Sequence, residues 1–168
     1  MPSRYVPFMS PKNLASLILF LASSWTLGQG KNAKQFINPT GTYKLDSKTV
    51  IKDGETYGYF GHVKVKLLDS TRIVVGLFIC KGAPNYNSGS FLDTLEYQNN
   101  YVIHRTPESD SSCTIKLLFT KQGLTIEQFQ KDINFGCEFG HGVFADGFYK
   151  LTSKKSPADK EFDEVDSG

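Results

Sequence analysis

The chain has 168 residues, with 19 Lys or Arg against 17 Asp or Glu and a formal charge of +2. That balance supplies neither a broad cationic surface for releasing counterions from nucleic acid nor a polybasic run for holding an anionic membrane. With 39% apolar and 13% aromatic residues, the length suits one folded domain with a real core.

In chain order, Arg4 and Lys12 come first, then the apolar run Leu14–Trp25, then Gly28 and Gly30. The run is short for a bilayer span but suits the apolar region of a secretory leader, so residues 1–28 read as a signal peptide cleaved near 28–30. No cysteine follows closely enough for lipid attachment, and no stable membrane insertion is expected after cleavage. Without Arg4 and Lys12 the remainder carries 17 basic and 17 acidic residues (19 − 2 and 17 − 0) and is close to neutral. The expected location is secreted or periplasmic. Residues 29–39 read as a flexible lead-in, 40–152 as the folded module, and the charged, apolar-poor stretch 153–168 as a disordered tail.

Inside the module the hydrophobic period is two. In His62-Val63-Lys64-Val65-Lys66-Leu67 the apolar residues face in and the polar ones out. Cys113-Thr114-Ile115-Lys116-Leu117-Leu118-Phe119 repeats this with Cys113, Ile115, Leu117 and Phe119 inside, and Leu124-Thr125-Ile126-Glu127 follows after the turn Lys121-Gln122-Gly123. Gly123 is expected to supply a positive φ to that turn. Further strands are expected at 41–46, 57–69, 71–80, 90–97, 101–106 and 143–151. They are separated by Asp53-Gly54, Asp69-Ser70, Gln98-Asn99-Asn100, Pro107-Glu108-Ser109-Asp110 and Asp146-Gly147. Residues 125–132 also tolerate a short helix.

About eight short strands joined by tight turns predict an all-β, single-domain antiparallel meander, either a closed or partly open barrel or a sandwich. The barrel is preferred, since closure removes the exposed edges that endanger a chain rich in β-formers. Of three cysteines, Cys113 begins an inward-facing strand and Cys137 follows two dozen residues later. A bridge between them would tie a hairpin to the next strand. Cys80 is left as a buried thiol, the link of a disulfide-joined dimer, or a reactive group.

His62, His104 and His141 lack the close spacing of a local metal motif, so no metal and no cofactor are expected. No nucleophile elbow and no phosphate-cradling glycine loop occurs, and no catalytic residue is assigned. An enzyme is disfavoured; a hydrolase of unknown substrate using His141 or His104 stays as an alternative. Two segments exceed scaffolding. Loop 81–90 is long and polar and offers Lys81, Asn85, Tyr86 and Asn87 as contacts, with tyrosine suited to an interface. The stretch 134–150 is rich in glycine and aromatics, and Phe139 and His141 are its candidate contacts; Phe135, Phe144, Phe148 and Tyr149 serve either a pocket or the core.

Gly41-Thr42-Tyr43, Lys81-Gly82-Ala83-Pro84 and the closing Cys137-Glu138-Phe139-Gly140-His141-Gly142-Val143 with Asp146-Gly147-Phe148-Tyr149-Lys150 resemble a group of uncharacterised small secreted bacterial β-proteins. The resemblance implies export and a β fold. The plan of a barrel with one disulfide is more loosely similar to lipocalin-like ligand carriers and to periplasmic inhibitors of lysozyme, whose inhibitory motif has no counterpart here. The functional expectation is therefore a non-catalytic binding module, with its ligand or partner at the barrel mouth and loop 81–90. One form of it carries a small apolar ligand inside a barrel lined by Val63, Val65, Leu77, Ile115 and Phe119. Another inhibits a secreted enzyme such as lysozyme through its loops.

Overall fold

A computed structural model describes residues 35–106, 113–131 and 136–166. The expected leader, the turn at 107–110 and Phe135 lie outside the described residues. The strands are β1 (Gly41–Leu45), β2 (Val50–Lys52), β3 (Glu55–Leu67), β4 (Arg72–Gly82), β5 (Ser88–Glu96), β6 (Tyr101–Arg105), β7 (Thr114–Phe119), β8 (Gly123–Phe129) and β9 (Gly147–Ser153), followed by helix α1 (Lys160–Asp166). Antiparallel pairing in the order β5-β4-β3-β1-β9-β8-β7-β6 curls the sheet into a nearly closed barrel with one unsealed seam. Short β2 pairs with β3 alone.

The predicted alternation sets which residues fill the interior. Val63, Val65, Leu77, Ile115 and Phe119 are at most 2% exposed, and Tyr43, Ile73, Leu124, Ile126 and Tyr149 join them. Surface this inaccessible borders no water-sized void, so these side chains fill the barrel and leave no open lumen among them.

The seam is a hairpin that begins and then parts. Asn99 and Asn100 both hold positive φ (52° and 64°), as the two-residue turn favoured between twisted strands requires. Gln98 and Tyr101 exchange backbone bonds of 3.2 and 3.0 Å, but β5 and β6 do not pair beyond them among the described residues. Side chains bridge the gap instead. His104 stacks on Phe91 with ring centroids 4.0 Å apart, and its Nδ1 lies 3.0 Å from Asp93 Oδ2. An inward carboxylate on an edge strand also discourages pairing with another chain.

The end of the barrel below this turn is closed by a strap, residues 35–40. Asn100 clasps it: Ile37 N–H donates to Oδ1 (2.9 Å), and Nδ2 donates to the Gln35 carbonyl (2.7 Å). Tyr97 Oη donates to the Ile37 carbonyl and Tyr43 Oη to that of Pro39, both at 2.6 Å. Phe36, Tyr97, Phe119 and Tyr43 follow one another edge to face at 5.6–5.9 Å, plugging this end. What read as a flexible lead-in is thus hydrogen-bonded structure from residue 35 onward.

Four local expectations are corrected. Residues 125–129 belong to β8, paired with β7 on one side and β9 on the other, and form no helix. The strand expected from Val143 starts at Gly147. Before it, the Ala145 N–H is taken by the Gln128 side chain (2.7 Å), which competes with a sheet ladder. Gly123 does not adopt a positive φ. Its lack of a side chain matters for close approach, because a Cβ there would overlap the Tyr149 carbonyl oxygen of β9. The charged end is not simply a solvated tail, since β9 runs to Ser153 and α1 covers the outer face of the sheet. Phe162 and Val165 are buried over Gly76, whose missing Cβ would stand 3.1 and 3.3 Å from them. Lys64 Nζ donates to the Glu161 carbonyl and Lys66 Nζ to Asp159, both at 2.7 Å. Two apolar residues three apart form a helix stripe only because a glycine slot awaits them.

Candidate functional site

The two segments singled out in the sequence meet at the end of the barrel opposite the strap. Lys81 belongs to β4, and its N–H donates to the Asn87 carbonyl (2.9 Å), closing a turn over residues 82–87. Tyr86 sits in that turn with φ 50°, and Ala83–Pro84 is cis. Tyr86 N–H donates to the Gly82 carbonyl (2.9 Å), while its Oη accepts the Thr56 N–H (3.0 Å). The ring is thereby laid against β3, and one edge stays in solvent. Asn85 is exposed at the tip.

Residues 136–146 fold over the same end. Phe139 is buried against Gly89, where any Cβ would overlap its ring. Gly140 N–H donates to the Ser88 carbonyl (2.8 Å), and Asn87 Nδ2 to that of His141 (2.9 Å). Tyr59 Oη donates to the Gly142 carbonyl (2.6 Å) and Tyr149 Oη to that of Ala145 (2.9 Å). The Cys113–Cys137 disulfide, with Cα atoms 4.9 Å apart, ties the segment to the start of β7. Lys81, Asn87, Phe139 and His141 therefore do converge. Phe139 and Asn87, however, act as internal fastenings, and solvent-facing surface is left to Asn85, Tyr86 and the His141 ring.

Strain concentrates here. Tyr86, Cys137 and Glu138 hold positive φ (50°, 62° and 58°), a conformation that costs a non-glycine residue on the order of 1 kcal/mol or more. Burial raises the Tyr149 and Tyr59 phenols above their ordinary value; the Asp146 charge adds to the first, and a backbone bond from Phe144 opposes the second. Both phenols are neutral donors at physiological pH.

The surface missed by the sequence reading is the hairpin β2–β3, which turns at Asp53-Gly54 (φ 54° and 82°) beside Tyr86. Val50 pairs with Tyr57 on one face, and Ile51 lies on the other. Ile51 is 77% exposed, Val50 63% and Tyr57 38%. Three residues give too short a pattern to read as a strand, although Val50-Ile51 before Asp-Gly is a hairpin signal.

The three histidines lie in different parts of the fold. His62 lies beside Phe78, His104 is in the seam, and His141 is in the end loop. No group of three His, Cys, Asp or Glu able to hold a metal exists among the described residues. Cys80 is a buried free thiol beside the Tyr86 carbonyl. No helix among the described residues is long and apolar enough to cross a membrane. No family model matches the chain, and no similar curated protein or solved structure is found.

Proposed function

We propose that the protein is an exported, non-catalytic protein-binding module whose contact surface is the barrel end carrying the β2–β3 hairpin and the 82–87 turn. The observation that carries this reading is the exposure of Val50 and Ile51 on a hairpin that lies alongside a pinned Tyr86. Scattered apolar residues on a surface are ordinary, but a cluster of them at one end is the usual mark of an interface. The filled interior favours an external partner over a carried ligand. Oxidising surroundings suit the Cys113–Cys137 bridge, and the leader-like start fits export.

The geometry also narrows the partner. Apolar side chains on both faces of the hairpin cannot all be buried against a flat surface; a cleft that receives the hairpin buries them together. The cleft of a secreted enzyme is one such partner, and the module would then act as an inhibitor.

Immobilised protein should retain a partner from the medium or envelope extract of the source organism. Ile51→Asp and Tyr57→Ala should each lower that retention at least tenfold, with melting temperatures unchanged. Tyr86→Phe removes the acceptor for the Thr56 N–H while keeping the ring, so it separates hairpin positioning from direct contact. Retention indifferent to both Ile51→Asp and Tyr57→Ala would refute the reading.

A further inference from the structure

At the strap end, remote from the hairpin, a pocket of about 360 Å³ opens between the strap, the β7–β8 turn and the end of β9. Its size falls at the small end of the range for ligand pockets, roughly 300–1,000 Å³. Phe36, Ile37, Tyr43 and Leu151 give it apolar walls, and Lys121 and Lys154 stand at its rim. No carboxylate lines it, and neither lysine has an ion-pair partner among the described residues. Asn38 adds an amide, whose Oδ1 accepts the Thr40 N–H (3.0 Å) and whose NH₂ remains as a donor.

The walls are set before any ligand arrives. The Asn100 clasp and the Tyr97 and Tyr43 hydroxyls fix the backbone of residues 35–39, and Thr40 Oγ1 accepts the Leu67 N–H (3.1 Å). A preformed site loses little conformational entropy on binding. We propose that this pocket binds a single-chain carboxylate, its apolar tail against Phe36, Ile37 and Leu151 and its head between the Lys121 and Lys154 ammonium groups. A bare inorganic anion would leave the apolar walls uncovered. A neutral amphiphile would forgo the attraction to the two exposed ammonium groups. The site lies outside the filled barrel interior and does not depend on the hairpin reading.

The test is titration of the purified, exported chain with decanoate below its micelle concentration, followed by calorimetry and backbone amide shifts. The expected result is one-to-one binding, with shifts confined to the strap, the β7–β8 turn and the end of β9. Octanoate, two methylenes shorter, should bind about fifteenfold more weakly, at about fourfold per methylene. Decanol should bind about tenfold more weakly, the ratio expected from two solvent-exposed charge contacts. The Lys121→Gln/Lys154→Gln double variant, with an unchanged urea transition, should bring decanoate down to the level of decanol. The proposal is overturned if decanol matches decanoate, if the lysine substitutions change nothing, or if the shifts fall on the outer face at Tyr101 and Leu118. It is also overturned if only anionic phospholipid vesicles bind, which would make the lysines a membrane contact.

Discussion

Replacing Asn100 by glycine removes the clasp on the strap while keeping the left-handed backbone that the turn needs. The Asn100 side chain accepts from Ile37 N–H (2.9 Å) and donates to the Gln35 carbonyl (2.7 Å), while the single Tyr97 hydroxyl proton goes to the Ile37 carbonyl (2.6 Å). At a net ~1 kcal/mol for each hydrogen bond the two Asn100 bonds sum to about 2 kcal/mol. The Tyr97 bond to the Ile37 carbonyl survives the substitution, so the expected loss for Asn100→Gly is about 2 kcal/mol. Asn100→Ala loses the same bonds and must also hold φ near 64° with a Cβ, which adds about 1 kcal/mol. Urea unfolding followed by tyrosine fluorescence and far-ultraviolet dichroism reads both values. The slope should be unchanged, and Tm should fall on the order of 10 °C for the alanine variant. A glycine variant within about 0.5 kcal/mol of wild type, the range of ordinary surface substitutions, would refute the clasp. Equal losses for glycine and alanine would refute the backbone part of the argument.

Four other outcomes follow from the same geometry. Gly89→Ala pushes a methyl into the Phe139 ring and should cost about 1–3 kcal/mol by thermal melting, with faster amide exchange across residues 136–146. Phe162→Ala should release α1 without unfolding the barrel, because a seven-residue helix has no stability of its own. Hydrogen exchange should then show lost protection in α1 and little change in β7 and β8. Burial raises Tyr97 from 10.0 to about 12 and raises Tyr43 and Tyr149 as well. The fold favours the neutral phenols, so their contribution is complete below pH 10 and is lost as pH rises toward 12; urea midpoints at stepped alkaline pH and absorbance at 295 nm report it. Asp69 is held at about 2, against an ordinary 3.8, by the Thr71 N–H first and then by Arg72. Its contribution is present above pH 3.8 and lost as pH falls toward 2, and a carboxyl carbon titration by NMR should show that midpoint.

The alternation of β3 and β7 was enough to place Val63, Val65, Ile115, Leu117 and Phe119 inside, because a period of two fixes faces whatever the partner strand. The Cys113–Cys137 pairing was legible for the same reason, one cysteine opening an inward strand and the other following an apolar residue. The convergence of loop 81–90 with residues 136–146 was only half legible. Composition marked both segments, but the contact depends on Phe139 finding Gly89, a pairing some fifty residues apart. Helix α1 was hidden because Phe162 and Val165 are meaningless without the slot at Gly76. Asn100 read as a turn residue and nothing more. Its side chain reaches back more than sixty residues to the strap, and no local pattern carries that information.

The most direct test of the account is photocrosslinking from position 51. A photoreactive amino acid at Ile51 in the exported chain, exposed to the extracellular or envelope fraction of the source organism, should form a covalent adduct with one protein. The same adduct should form from position 57 and fail to form from Leu118 on the opposite outer face. Adducts from Leu118 with none from 51 or 57 would contradict the claim that the hairpin end is the binding surface.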